Sequence, residues 1–393
     1  MSIRDNYNHT IYASYVGYIT QAIVNNFAPL LFLTFSRQFG LSLDKLALIT
    51  TVNFAVQLLV DLVSAKVVDR IGYRVCVVAA HIFAAVGLMS LALLPFALGS
   101  PFAGILVAVV LYAVGGGLIE VLISPIVESC PTERKEAAMS LLHSFYCWGH
   151  LGVILVSTLF FTLAGIERWP VLAAIWALVP VANAFYFARV PLYSLTGEQE
   201  PLSIGKLFGQ RVFWLLMVVM VCAGASEQAM SQWASAFAES ALHLTKTVGD
   251  LAGPCLFALL MGTARALYGK FSERLPLKKA MLGCAALCVG CYLLASLTQN
   301  PVLGLVGCAV CGISVGIFWP GTFSIAALSL PSAGTAMYAF MALAGDVGCS
   351  GGPTLVGFVA NALRGDLKRG LLAAIVFPVL ILVGVGRLKR AEK

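Results

Sequence analysis

Four acids, Asp61, Glu120, Glu227 and Asp346, interrupt long apolar runs of this chain, and one permanent cation, Arg265, does so at comparable depth. An ionised group at the centre of a bilayer costs about 2.5–3.5 kcal/mol on insertion scales, so each needs a partner, a bound ion or a water-filled cavity. Four carboxylates cannot all pair with one guanidinium, and His81, His143 and His150 add charge only when protonated. Some of the acids are therefore expected to hold a proton part of the time or to bind a cation. That imbalance makes Glu120, Glu227, Asp346 and Asp61 candidates for coupling to protons or sodium.

Neutral polar side chains accompany them at helical spacing. Ser14, Tyr18, Gln21 and Asn25 fall on one helical face, and Asn53, Gln57, Asp61 and Ser64 repeat the pattern in the next apolar run. A polar stripe turned to lipid is costly, so both stripes are expected to face a bundle interior. Gln21, Asn25, Asn53 and Gln57 are candidate contacts for a polar solute beside Glu120. Glu227 is followed by Gln228 and Gln232, whose planar amides suit hydroxyl recognition. Trp319 precedes Pro320 and offers a ring for stacking on a sugar or for packing against a neighbouring helix; Pro320 and Pro125 each free a backbone carbonyl and let a helix bend.

The elements that carry these residues follow from composition. Sixty per cent of the residues are hydrophobic and 11% are charged, too few charges to cover a soluble surface. Runs of about 20 apolar residues, each able to cross a bilayer core of roughly 30 Å, recur throughout. Without period-two alternation they read as helices. Twelve spans are expected, at roughly 11–36, 45–67, 74–98, 101–128, 137–164, 168–190, 211–241, 247–270, 278–298, 301–329, 334–363 and 369–388. They divide into an N-terminal six-helix bundle (1–192), a linker (193–210) and a C-terminal six-helix bundle (211–393). On this map Lys and Arg fall 17 to 7 in favour of the face bearing both termini, which places the termini in the cytoplasm.

No cleavable leader is expected, because Met1 to Asn8 is polar and the apolar run that follows is too long for one, and the protein is expected to stay in the cell (inner) membrane. The net charge of +7 then reflects topology, and no nucleic-acid partner is expected. The 11 cysteines, including Cys288-x-x-Cys291 and Cys308-x-x-Cys311, lie nearly all in apolar helices, where Cys behaves as a small hydrophobe; no metal or cofactor is expected.

A charged cassette closes an apolar run in each half. The first reads Ala65-Lys66-Val67-Val68-Asp69-Arg70-Ile71-Gly72-Tyr73-Arg74 and the second Gly269-Lys270-Phe271-Ser272-Glu273-Arg274-Leu275-Pro276-Leu277-Lys278-Lys279. Glu273 follows Asp69 by 204 residues, about half the chain, which marks an internal duplication. At the same offset Arg265 follows Asp61, and at a shorter offset of 196 residues, which assumes a gap, Gly149-His150 parallels Gly345-Asp346. The cassettes resemble the signature loop of the major facilitator superfamily, Gly-x-x-x-Asp-Arg-x-Gly-x-Arg-Arg, and its weaker second copy. Within it, Gly115-Gly116-Gly117-Leu118-Ile119-Glu120 through Pro125, Leu141 to Gly149, and Gly224 to Trp233 resemble the fucose–proton symporter-like branch. Where that branch's prototype has an acid in the first span, this chain has Gln21, Asn25 and Asn26.

The resemblance implies an all-α membrane protein of twelve transmembrane helices in two pseudo-symmetric bundles that rock around a central site. Spans one, four, seven and ten would line the cavity. Asp69, Arg70, Arg74, Glu273 and Arg274 would lock its cytoplasmic side. By the pairing of spans in the superfamily, His150 and Arg265 would face each other on one side, and Asp61 and Asp346 on the other. The expectation is a monomeric secondary active transporter that imports a small polar solute with protons. A sugar comes first and an organic anion held by Arg265 second.

A proton-driven efflux antiporter is the mechanistic alternative, although the Gly-Pro ending of the antiporter motif is absent near Gly149-His150-Leu151-Gly152. A non-transporting receptor has no use for two gate cassettes. An enzyme would show a His-Glu-x-x-His, Gly-x-Ser-x-Gly or phosphate-loop pattern, and none is present.

Overall fold

The computed structural model describes residues 3–4, 6–132, 135–192, 204–271, 276–330 and 334–388, and every regular element among them is a helix. Glu273, Arg274 and residues 193–203 of the expected linker lie outside the described residues, and so do the side chains of Asp69 and Arg70. The spans are α1 (Tyr7–Phe39), α2 (Leu43–Ile71), α3 (Tyr73–Ala97), α4 (Pro101–Glu128), α5 (Lys135–Ala164) and α6 (Trp169–Phe187). They continue as α7 (Arg211–Ser240), α8 (246–271), α9 (Leu277–Leu297), α10 (301–329), α11 (Gly334–Ala362) and α12 (Leu367–Arg387). A short helix, Ile204–Phe208, precedes α7.

Among the described residues eleven helices are long and apolar enough to cross a membrane, and the expected span at 334–363 is not one of them. It forms all the same, as α11, a helix of 29 residues diluted by Gly, Ser, Asp and Pro353. Large apolar side chains such as Leu163 (78% exposed) and Phe185 (63%) cover the outer faces, which water would not tolerate and lipid does.

Chain contacts divide the molecule into two compact units, one of Met1–Leu41 with Leu48–Gly197, the other of Ser42–Ala47 with Glu198–Lys393. The same pairings recur in each. In the first, α1 packs on α5 and α4, and α3 on α4 and α6; in the second, α7 packs on α11 and α10, and α9 on α10 and α12. That recurrence is the duplication in three dimensions. Close approach depends on glycine: a Cβ on Gly87 of α3 would lie 2.3 Å from the Tyr112 nitrogen of α4. One on Gly348 of α11 would lie 1.9 Å from the Val221 carbonyl of α7.

Helix starts repeat too. Ser100 caps α4 before Pro101, and Asn300 caps α10 before Pro301, each accepting backbone N–H groups.

Three spans depart from regular α geometry, and prolines account for it. α1 tightens into a 3-10 turn at Ala28–Leu31, where Pro29 cannot donate to Asn25. α8 contains a π-helical turn, Leu251–Cys255, around Pro254. α10 is interrupted between Val315 and Phe318, just before Trp319-Pro320.

Candidate functional site

In the first unit the two polar stripes meet. Ser14, Tyr18, Gln21 and Asn25 on α1 and Asn53, Gln57 and Ser64 on α2 are all buried. Gln21 Nε2 donates to Glu120 Oε2 on α4 at 3.1 Å and to Gln57 Oε1 at 3.0 Å. Both partners are oxygens, which fixes the orientation of the Gln21 amide. Gln57 Nε2 and Asn53 Nδ2 then both donate to Asn25 Oδ1, at 2.8 and 3.0 Å. Tyr18 and Ser124 exchange a hydroxyl bond of 3.0 Å one turn along α4 from Glu120.

The result is one chain of four amides ending on a carboxylate. Two of its acceptors, Gln21 Oε1 and Asn53 Oδ1, are buried with no donor. Gly116 keeps the first clear, since a Cβ there would lie 3.2 Å from Gln21 Oε1. Such acceptors ask for an outside donor, and a ligand hydroxyl supplies one. Glu120 itself has an amide, Tyr18 and Asp61 as neighbours, and no cation among the described residues. Asp61 is half-buried one turn beyond Gln57.

The second unit treats its acid differently. Arg265 Nη2 of α8 lies 3.3 Å from Glu227 Oε2 of α7, with 25% and 11% of the two side chains exposed. Arg265 Nε donates to the carbonyl of Gly316 at 3.1 Å. That carbonyl is the one left without its helical donor by Pro320, four residues on. The interruption of α10 thus creates the acceptor that orients the guanidinium. Gln228 Nε2 approaches Glu227 Oε1 at 3.4 Å, and Gln232 Nε2 donates to Gln228 Oε1 at 2.9 Å. Tyr292 of α9 steadies the α7 backbone here through Ser226 O, at 2.8 Å. Trp319 lies over α11, where a Cβ on Gly345 would meet its ring at 2.2 Å. The neighbouring Asp346 is buried, and so is His150 in the first unit.

His81 does not add charge. Its Nδ1 lies 2.7 Å from Val77 O and its Nε2 2.8 Å from Asn183 Nδ2. One ring nitrogen faces an acceptor and the other a donor, the pattern of a neutral imidazole. Asn183 also donates to Ala13 O, so the group ties α1, α3 and α6 together. Arg74, expected as a gate residue, donates to the carbonyls of Phe187 and Ala188 at the C-terminus of α6. Lys278, 204 residues later, donates to Gly386 and Leu388 at the end of α12. Both cations cap a helix end of their own unit, where the helix dipole favours positive charge.

One cluster escapes the sequence reading: Lys246 and Asp250 of α8 with Ser235 and Glu239 of α7. Its signal was two i, i+4 polar pairs flanking a turn.

A buried polar cluster in each unit of a twelve-helix, internally duplicated membrane protein fits a transporter rather than an enzyme. A sequence profile of the Major Facilitator Superfamily matches residues 14–353, and the chain belongs to that superfamily. No curated protein sequence matches it. Among solved structures it resembles a bacterial homologue of the human lysosomal transporter Spinster, inward-facing and occupied (14% identity, 96% of each chain covered, TM-score 0.75). It also resembles a point mutant of the nucleoside transporter NupG (14% identity, 97% of this chain and 100% of that one, TM-score 0.76). A D-xylose–proton symporter is similar as well (12% identity, 96% and 94%, TM-score 0.72). At these identities the likeness is one of fold.

Proposed function

We propose that the chain is a proton-coupled symporter for a small, neutral, hydroxyl-rich solute of the sugar class. The observation that carries this reading is the amide chain on Glu120. Gln21, Gln57, Asn25 and Asn53 offer closely spaced acceptors and donors, two acceptors await a hydroxyl, and a carboxylate without a cation stands at the end. Vicinal hydroxyls match such a row, since each donates one bond and accepts others. Gln228, Gln232 and Trp319 supply the second unit's contacts.

Glu120 is the acid best placed to take the coupling proton, because its charge has no fixed counter-ion in the first unit. Asp61 and Asp346 are secondary carriers. Glu227 already balances Arg265, which favours a neutral solute over an organic anion: an anion would have to compete with Glu227 for the guanidinium. His150 is a further candidate contact.

Two structural neighbours, a nucleoside transporter and a D-xylose–proton symporter, act on solutes rich in hydroxyls and support this reading. So do the residue patterns shared with the fucose–proton branch. Both termini are assigned to the cytoplasm and the protein to the inner membrane as a monomer, on the Lys and Arg distribution. Asp69, Arg70, Glu273 and Arg274 are assigned to the cytoplasmic gate.

The test is a thermal-shift screen of hexoses, pentoses, nucleosides and small carboxylates on the purified protein, followed by counterflow in proteoliposomes. A hydroxylated neutral solute should both stabilise the protein and exchange, and its inward flow down an imposed solute gradient should draw protons in with it and alkalinise the external bath. Stabilisation by carboxylates alone would replace this reading with an anion transporter.

A further inference from the structure

Three consecutive glycines, Gly115-Gly116-Gly117, lie inside α4, where glycine weakens a helix. Two of them answer to packing. A Cβ on Gly115 would lie 2.5 Å from the Ala80 carbonyl and the Ala84 nitrogen of α3, and one on Gly117 would lie 3.0 Å from the Gln57 backbone of α2. Gly116 is different. The three atoms nearest to a Cβ there all belong to side chains: Val24 Cγ1 at 3.1 Å, Gln21 Oε1 at 3.2 Å and Gln57 Cδ at 3.3 Å.

Gln21 is 2% exposed, and its Oε1 accepts no hydrogen bond among the described residues. The amide is not free to turn and find one. Nε2 uses both hydrogens, on Gln57 Oε1 at 3.0 Å and on Glu120 Oε2 at 3.1 Å. Reversing the amide would set its oxygen against Gln57 Oε1, which is itself fixed as an acceptor because Gln57 Nε2 donates to Asn25 Oδ1. The fold thus holds a buried acceptor open, beside a helix position kept free of any side chain. Buried polar atoms are rarely left so, and the missing partner is a donor. Glu120, one turn along α4 on the same face, is half-buried, so this face reaches accessible space.

We propose that Gly116 is a specificity-determining residue: its bare Cα leaves room for one hydroxyl of the solute, and that hydroxyl donates to Gln21 Oε1. The inference deepens the sugar-class reading and rests on it for the identity of the donor. It adds a requirement on the solute, a free O–H at one position. A deoxy analogue leaves Gln21 Oε1 bare, and an O-methyl ether brings an oxygen that cannot donate. Sites built to pair a substrate hydroxyl discriminate strongly against analogues that lack it, because the buried protein group is then left unpaired.

The test compares two substitutions that differ by one oxygen atom, Gly116→Ser and Gly116→Ala. Both add a Cβ, and in both Val24, Gln21 and Gln57 must yield by a few tenths of an ångström. Only Gly116→Ser brings a hydroxyl to take the solute's place on Gln21 Oε1. Without solute, in detergent, Gly116→Ser should therefore melt about 2 °C above Gly116→Ala. Adding Gln21→Met to each, which removes the acceptor, should abolish that difference.

The second measurement is the thermal-shift response to hexoses, pentoses and nucleosides and to their monodeoxy analogues. Wild type should bind the parent solute about tenfold more tightly than the analogue lacking the critical hydroxyl. Gly116→Ser should reverse the preference, because its oxygen fills the space of the missing hydroxyl, whereas Gly116→Ala should weaken both compounds. Equal melting of the two Gly116 variants, or an unchanged preference for the parent in Gly116→Ser, would overturn the proposal. A panel in which nothing stabilises wild type would instead sink the sugar-class reading, and the melting comparison, which needs no solute, would still decide whether Gly116 faces an open acceptor.

Discussion

Glu120, half-buried, and Glu227, buried, are acids near the middle of their helices, one in each unit, yet their surroundings differ. Glu120 ends a chain of neutral amides, with no cation among its described neighbours. Glu227 faces Arg265, which is itself anchored by a carbonyl that Pro320 sets free. The duplicated fold has thus produced one acid among neutral amides and one with a guanidinium beside it. The lesson is that an internal repeat preserves helix pairing more faithfully than it preserves charge. Gly87 brings α3 against α4 and Gly307 brings α10 against the corresponding α9, while the acids of the two units have different surroundings.

Replacing either acid should separate these roles, and the largest effect is expected at Glu120. Glu120→Gln keeps the hydrogen-bonding shape and should reduce proton-driven accumulation to passive equilibration while counterflow persists, measured in proteoliposomes. Its stability should change little, because no buried cation is left behind. Glu227→Gln should instead destabilise the protein by about 2–3 kcal/mol, the lower part of the range for stripping a buried charge of its partner, given that the pair is partly exposed. Thermal unfolding in detergent checks this, and adding Arg265→Gln to Glu227→Gln should recover most of the loss. Recovery would show that the uncompensated guanidinium, rather than a missing contact, was the cost.

Smaller effects test how Arg265 is aimed. Pro320→Ala restores an N–H to Gly316 O and removes the acceptor that Arg265 Nε uses. About 1 kcal/mol of helix regularity is gained and a charge-assisted hydrogen bond of similar size lost, so stability should stay near wild type. Solute affinity should fall, as read by the thermal-shift response. The smallest changes are expected at Arg74→Ala and Lys278→Ala, each costing about 0.5–1 kcal/mol for a helix end deprived of its cation. Equal losses in the two would sharpen the pseudo-symmetry, and a loss at Arg74 alone would mark an additional task in the first unit.

Much of this was legible in the residues. The three- and four-residue spacing of Tyr18, Gln21 and Asn25 and of Asn53 and Gln57 announced two buried polar faces, and both are buried. The offset of 204 residues announced a repeat that reappears even in Arg74 and Lys278, which cap α6 and α12. What sequence could not show were pairings that depend on three helices at once. Arg265 finds Glu227 only because α10 breaks at Gly316 and presents a carbonyl. The polar content that obscures α11 as a span is the glycine it needs to lie against α7. Lys246 is the first residue of α8, one residue before the expected start of that span, and its pairing with Asp250 and Glu239 depends on how α7 and α8 meet.

The central claim is that Glu120 carries the coupling proton while Glu227 serves Arg265. The most direct measurement is accumulation of the solute found by screening, in proteoliposomes under an imposed proton gradient, for wild type, Glu120→Gln and the double variant Glu227→Gln/Arg265→Gln. The account predicts that only Glu120→Gln loses accumulation while retaining exchange. Undiminished accumulation by Glu120→Gln, with loss in the double variant, would contradict it.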